Sequence, residues 1–108
     1  MTSKAKKVVI ITEKLILDGV VKIIDKAGAV GYTVIPCGGK GSRNVRSTDR
    51  PSLVGEFTNV KIEVIVTDEA MAKAITEEVV DTYFGNYSGI TYVQEAEILR
   101  AQKFAQKS

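Results

Sequence analysis

An α+β domain with four antiparallel strands and two helices is what the sequence predicts. Three observations carry this expectation. Two segments have helical periodicity, and each lies between a pair of β-branched or alternating runs. A glycine-rich cationic stretch, CGGKGSRNVRS at residues 37–47, separates the two halves. The resulting order is β-α-β-loop-β-α-β. With right-handed crossovers on one sheet it gives the split-βαβ, or ferredoxin-like, arrangement. A length of 108 residues fits one domain, 1–108.

The first strand is expected over Lys7–Thr12, within KKVVIITEK. From Glu13 the period changes: Leu15, Ile16, Val20, Ile23, Ile24 and Ala27 share a helical stripe, with Lys14, Asp18, Lys22, Asp25 and Lys26 opposite. Thr12 suits the N-cap of this helix and Gly28 its end. VGYTVIPC then reads as a second strand ending near Pro36, because proline suits a strand end or edge. In the third strand Val60, Ile62, Val64 and Val66 alternate with Lys61, Glu63, Ile65 and Thr67. The second helix lies within TDEAMAKAITEEVVDTYFG, capped by Thr67 or Asp68, ended by Gly85, and buried through Met71, Ala74, Ile75, Val79 and Tyr83. NYSG turns into a fourth strand, ITYVQEAEIL, and residues 100–108 form a mobile tail.

Helices on one sheet face leave the other face with Ile65 and, depending on register, Val8 or Val9, Thr33 and Val93. A second apolar face predicts self-association into a closed cyclic oligomer. The chain has no histidine and one cysteine, which excludes the usual zinc sites, Ser–His and Cys–His catalysis, and an internal disulfide. Cys37 reads as a small apolar strand residue, with a reactive thiol as the alternative given nearby Lys40 and Arg43. The N-terminal MTSKAKK is followed by only four apolar residues, too few for a leader core or a membrane span; a cytoplasmic location is expected.

The segment 38–58 is far longer than the two to five residues of an ordinary hairpin connection. A solvated insertion with incidental charge is its simplest reading. Its glycines at 38, 39 and 41, however, allow successive backbone N–H groups to converge on an anion. Ser42 adds a donor, Arg43 and Arg46 offer guanidinium forks, and Lys40 supplies a point charge. Together these look like a phosphate receptor. The order Lys40-Gly41-Ser42 departs from the P-loop, which needs glycine-lysine followed directly by serine or threonine.

Two other functions compete. RNA-recognition domains share the element order, but they stack bases on aromatic residues of the central strands, and VVIIT and NVKIEVIVT contain none. A weak nucleotide-hydrolysing enzyme would have to work with scattered carboxylates such as Glu13, Glu56 and Glu63, each of which reads as a solvated surface group. No nucleic-acid partner, catalytic residue or protein-bound metal is therefore expected.

The stretches VVIITEKLILDGVVKIIDKAGAVGYTV, GGKGSRNVRS and YFGNYSGITYVQEAEIL together resemble the PII signalling superfamily, most closely its SbtB-like branch. The resemblance spans roughly residues 6–99. It implies a homotrimer that binds adenine nucleotides (cAMP, AMP, ADP or ATP) between subunits, with 38–58 as the flexible T-loop. It further implies a partner, the membrane bicarbonate transporter SbtA of a carbon-concentrating mechanism, which would recruit the protein peripherally to the membrane. Gly38, Gly39, Lys40, Gly41, Ser42, Arg43 and Arg46 would hold phosphate; Thr33, Val34, Phe84, Gly89 and Ile90 would border the adenine and ribose. A divalent metal can accompany ATP. Packing alone would also account for Tyr83 and Phe84, and a turn alone for Gly89. The absence of Lys and Arg between Asn86 and Leu99 implies weak triphosphate binding. The resemblance does not extend to 2-oxoglutarate, because the glutamine of the loop base is missing. Without a tyrosine in 38–59, uridylylation of the loop is excluded, and with AQKFAQKS at residues 101–108 a cysteine-bearing redox tail is not expected.

Overall fold

The β-branched run that opens the chain becomes its central strand. The computed structural model describes residues 2–38 and 57–100. Strand β1 (Ser3–Glu13) leads through a 3-10 turn (Lys14–Ile16) into helix α1 (Leu17–Ala27) and strand β2 (Thr33–Cys37); strand β3 (Asn59–Val66), helix α2 (Glu69–Tyr83) and strand β4 (Gly89–Ile98) follow. All pairings are antiparallel, in the order β2-β3-β1-β4. This is the ferredoxin-like arrangement expected from the element order.

Register decides which residues face the helices. Val8 lies opposite Val64 and Val93, and Ile10 opposite Ile62 and Thr91. Val8, Ile10, Ile62 and Val64, with Val60 and Val66, meet Val20, Ile23 and Ile24 of α1 and Met71, Ala72, Ile75 and Val79 of α2 in one core. Each buried Val, Ile or Met among them contributes on the order of 1.5–3 kcal/mol by leaving water. The other sheet face carries Val9, Ile11, Ile65 and Thr33, so of the two register options Val9 is the one realised. Val93 belongs instead to the helix side, yet it stays 42% exposed because β4 is an edge strand.

Several boundaries differ from the sequence expectation, each for a tertiary reason. β1 begins at Ser3 rather than Lys7, because Lys4 and Lys6 find Glu97 and Glu95 opposite them on β4; Lys6 and Glu95 form an ion pair. Glu13 is still strand and α1 starts only at Leu17. Thr12 therefore caps no helix: it is buried, and its hydroxyl donates to the Ser88 carbonyl at 2.8 Å. Leu15 falls on the 3-10 turn and is 84% exposed, off the core stripe. Gly28 does end α1, in the left-handed conformation at φ 95° that glycine adopts without steric cost. Strand β2 runs one residue past Pro36, to Cys37.

In α2 the buried alanine is Ala72, one turn from Ile75, while Ala74 is exposed. Tyr83 is half-buried against the core. The helix ends without a left-handed glycine: Phe84 is its C-cap at φ −78°, and the Tyr83 carbonyl accepts from the N–H groups of Asn86 and Tyr87. At the other end Asp68 is the N-cap, accepting from Ala70 N–H at 2.8 Å. Asp68→Ala is expected to cost about 1 kcal/mol in denaturant unfolding, while Asp68→Asn retains most of the stability.

Candidate functional site

Strand pairing sorts the expected site residues into two groups. Four rows cross the sheet in register: Pro36–Val60–Thr12–Gly89, Ile35–Lys61–Ile11–Ile90, Val34–Ile62–Ile10–Thr91 and Thr33–Glu63–Val9–Tyr92. Thr33, Val34 and Gly38 belong to or directly follow β2, one edge of the sheet. Gly89 and Ile90 open β4, the opposite edge, and Phe84 precedes them in the α2–β4 turn. Three strand spacings separate the edges, roughly 14 Å. Gly39, Lys40, Gly41, Ser42, Arg43 and Arg46 lie outside the described residues.

On the β2 side, Thr33 is exposed on the helix-free face beside Glu63, whereas Val34 points to the helices and packs against the core. The Glu63 carboxylate lies 3.4 Å from the Lys61 ammonium and 3.9 Å from that of Lys7, leaving an excess of positive charge around it. Glu63 reads from sequence as a solvated surface group, and no local signal shows that it faces Thr33; only register does. Cys37 ends the strand half-buried. Burial pushes its thiol pKa up, partly offset by Lys61, which favours the thiol over the reactive thiolate; Lys40 and Arg43, on which the reactive alternative rests, lie outside the described residues. Next to it, Asn59 is buried at the root of β3, and its Oδ1 accepts no hydrogen bond among the described residues.

On the β4 side, Phe84 is packed against the core and directly over Gly89. A Cβ at position 89 would lie 2.5 Å from Cε1 and Cζ of the Phe84 ring and 2.9 Å from Thr12 Oγ1. Gly89 is thus required by a close approach and not merely by a turn. Ile90 is 57% exposed on the helix-free face. Ser88 is held from both sides: its N–H donates to Glu13 Oε2 at 2.7 Å, and its carbonyl accepts from Thr12. Sequence reading missed this bracket, because its partners are 75 and 76 residues apart.

A shallow concavity of about 330 Å³ lies elsewhere, at the far end of the β1–β4 ladder, lined by Lys4, Glu95, Ala96 and Glu97. It contains none of the expected site residues. Among the described residues no helix is long and apolar enough to cross a membrane.

Residues 5–103 match the family model for nitrogen regulatory protein P-II. The chain belongs to the P-II family. Solved P-II relatives have the same fold. A PII-like protein from Thermus thermophilus shares 29% identity at a TM-score of 0.77, covering 95% of this chain and 97% of that one. CPII from Thiomonas intermedia, a nitrogen regulatory PII-like protein solved with ADP, AMP and bicarbonate, shares 25% identity at a TM-score of 0.81, covering 98% of both chains. A Bacillus subtilis GlnK–ATP complex, at 19% identity and a TM-score of 0.58 over 89% of this chain and 84% of that one, shares the fold alone.

The contact between Phe84 and Gly89 gives a direct test of how the β4 end of this P-II chain is built. Gly89→Ala is expected to cost about 1–3 kcal/mol of stability through overpacking. Adding Phe84→Leu, which removes the ring atoms in the way, should recover part of that loss. Additive effects in the double-mutant cycle would show that the two residues do not compete for the same space.

Proposed function

We propose that this P-II chain is an adenine-nucleotide sensor of the SbtB type: a homotrimer that takes ADP, AMP, ATP or cyclic AMP at the seams between its chains and signals through residues 38–58. The observation that carries the proposal is the division of the expected contact residues between the two edges of one sheet. At roughly 14 Å apart, Thr33 and Gly38 on one side and Gly89 and Ile90 on the other do not line one small-molecule pocket within a chain. They do so if the β2 edge of one copy meets the β4 edge of the next. Exposed Ile35, Ile90 and Tyr92 on the helix-free face give apolar area for such contacts, and closed rings are the common outcome of repeated head-to-tail contacts. CPII, which was solved with ADP and AMP, supports the ligand class.

In this reading the ligand phosphate is held by the amides of Gly38, Gly39 and Gly41, the Ser42 hydroxyl, Lys40, and the guanidinium groups of Arg43 and Arg46. Thr33 and Val34 border the adenosine from one side, and Phe84, Gly89 and Ile90 of a neighbouring copy from the other. A divalent cation bound through the phosphates would supply the charge that residues 86–99 lack when the ligand is ATP. Pairing phosphate with the loop's arginines lowers the cost of ordering it, about 1–2 kcal/mol per residue. The ligand thereby shifts which loop states a partner meets, to the extent that it discriminates between them. The partner is the bicarbonate transporter SbtA, met at the cytoplasmic face of the membrane. The RNA-binding alternative loses support from the helix-free face, where Tyr92 is the only aromatic ring among the described strand residues and sits on an edge strand.

Sedimentation should give a trimer, and calorimetry one nucleotide per chain. Arg46→Ala should weaken ADP and cyclic AMP at least about tenfold, the loss of one charge-assisted bond. An unchanged affinity would remove Arg46 from the site, and a monomer would overturn the seam. Capture of detergent-solubilised SbtA should depend on the nucleotide; nucleotide-independent failure to bind it would overturn the partner assignment alone.

A further inference from the structure

Lys7, Lys61 and Glu63 form a charged cluster on the helix-free face that the nucleotide seams leave unused. The Glu63 carboxylate lies 3.4 Å from the Lys61 ammonium and 3.9 Å from that of Lys7, so one carboxylate serves two cations. All three side chains are half-buried within a single chain. They stand on β1 and β3, the two interior strands, beside the fully buried Val9. Among the described strand residues, the other charged group that register places on this face is Glu13. It stands roughly 20 Å along β1 from Lys7, and its carboxylate already accepts from the Ser88 N–H at 2.7 Å.

Edge-to-edge closure decides where this cluster goes. Three sheets joined β2 to β4 are the sides of a triangle. Four strands and one seam at about 4.8 Å spacing make each side roughly 19 Å long, which puts its midpoint about 5–6 Å from the threefold axis. A helix is about 10–12 Å across, so the helices lie outside and the helix-free faces inside. The midpoint of each side is the β1–β3 pair, and a lysine's four-carbon stem can cross the remaining distance. We propose that the threefold axis holds one tetrahedral oxyanion of the inorganic phosphate class, gripped by Lys7 and Lys61 of all three chains. The inference rests on the seam reading above. Six lysines and three glutamates then face one small interior, and charges taken out of water without partners are costly. A doubly charged anion offsets most of that excess. Phosphate also has a threefold axis of its own: with one P–O bond along the trimer axis, each of the other three oxygens meets one chain. Glu63 holds both ammonium groups of its chain in place, and each ammonium has three donors, which leaves N–H groups for the anion.

The test is equilibrium dialysis of radiolabelled inorganic phosphate against trimers verified by sedimentation, with excess ADP present to fill the seams. One phosphate per three chains is expected. Lys7→Gln or Lys61→Gln should lower its affinity at least about tenfold. Glu63→Gln, which removes the competing carboxylates, should raise it about threefold or more. Sulfate should displace the phosphate, and chloride at the same concentration should not. A trimer that takes up no phosphate would overturn the proposal. So would three phosphates per trimer that more ADP releases, or an affinity that neither lysine variant changes. If the lysine variants do not assemble, Glu63→Gln decides, and an unchanged affinity there overturns the axial site. A monomer in sedimentation would overturn the seam reading itself, a result distinct from an empty trimer.

Discussion

The pairing of β1 with strands on both sides is the constraint from which the rest of the molecule follows. Val8, Val9 and Ile10 are all fully buried, so this short β-branched run is covered on both faces of the sheet. A strand so placed must be interior, and its neighbours β3 and β4 must flank it. That leaves β2 and β4 as edges. Helices α1 and α2 then have one face to cover, and the residues expected to meet ligand are distributed to the two outer rims of a single chain.

The same strand also organises its own C-terminal end. Where β1 stops, Thr12, Glu13 and the following Lys14 take up backbone groups from both sides: Ser88 from the β4 turn and Thr58 from the β3 root. Buried or half-buried backbone groups left unpaired there would be costly. Satisfying them from consecutive residues joins parts of the chain that the sheet order keeps apart. The close packing of Phe84 on Gly89, with Thr12 on the other side, makes this corner intolerant of even one added methyl group.

Charge is distributed differently. At the start of β1, Lys4 and Lys6 face Glu97 and Glu95 across the ladder, which extends a strand whose sequence looks too polar to be one. On the helix-free face Glu63 sits between Lys61 and Lys7. Both arrangements are partly exposed, and pairs of this kind add little stability; their effect is on register and on the local potential near Thr33.

Much was legible in the linear pattern. Alternation in Val60–Val66, the stripe Met71, Ile75 and Val79, the cap at Asp68 and the stop at Gly28 are local signals, governed by periods of two and 3.6 and by single-residue backbone preferences, and they determined the class and order of elements. The cationic, glycine-rich composition of 37–47 likewise pointed to an anion receptor, and the resemblance of three longer stretches pointed to the P-II family. Tertiary structure alone decided which of Val8 and Val9 faces the helices, that Thr12 binds Ser88 instead of capping α1, that Leu15 leaves the stripe, that Ala72 replaces Ala74, and that Glu63 faces Thr33. Each of these depends on strand register or on partners dozens of residues away. No periodicity encodes such contacts, because they are set by which surfaces can be buried together and which donors that burial leaves to be satisfied.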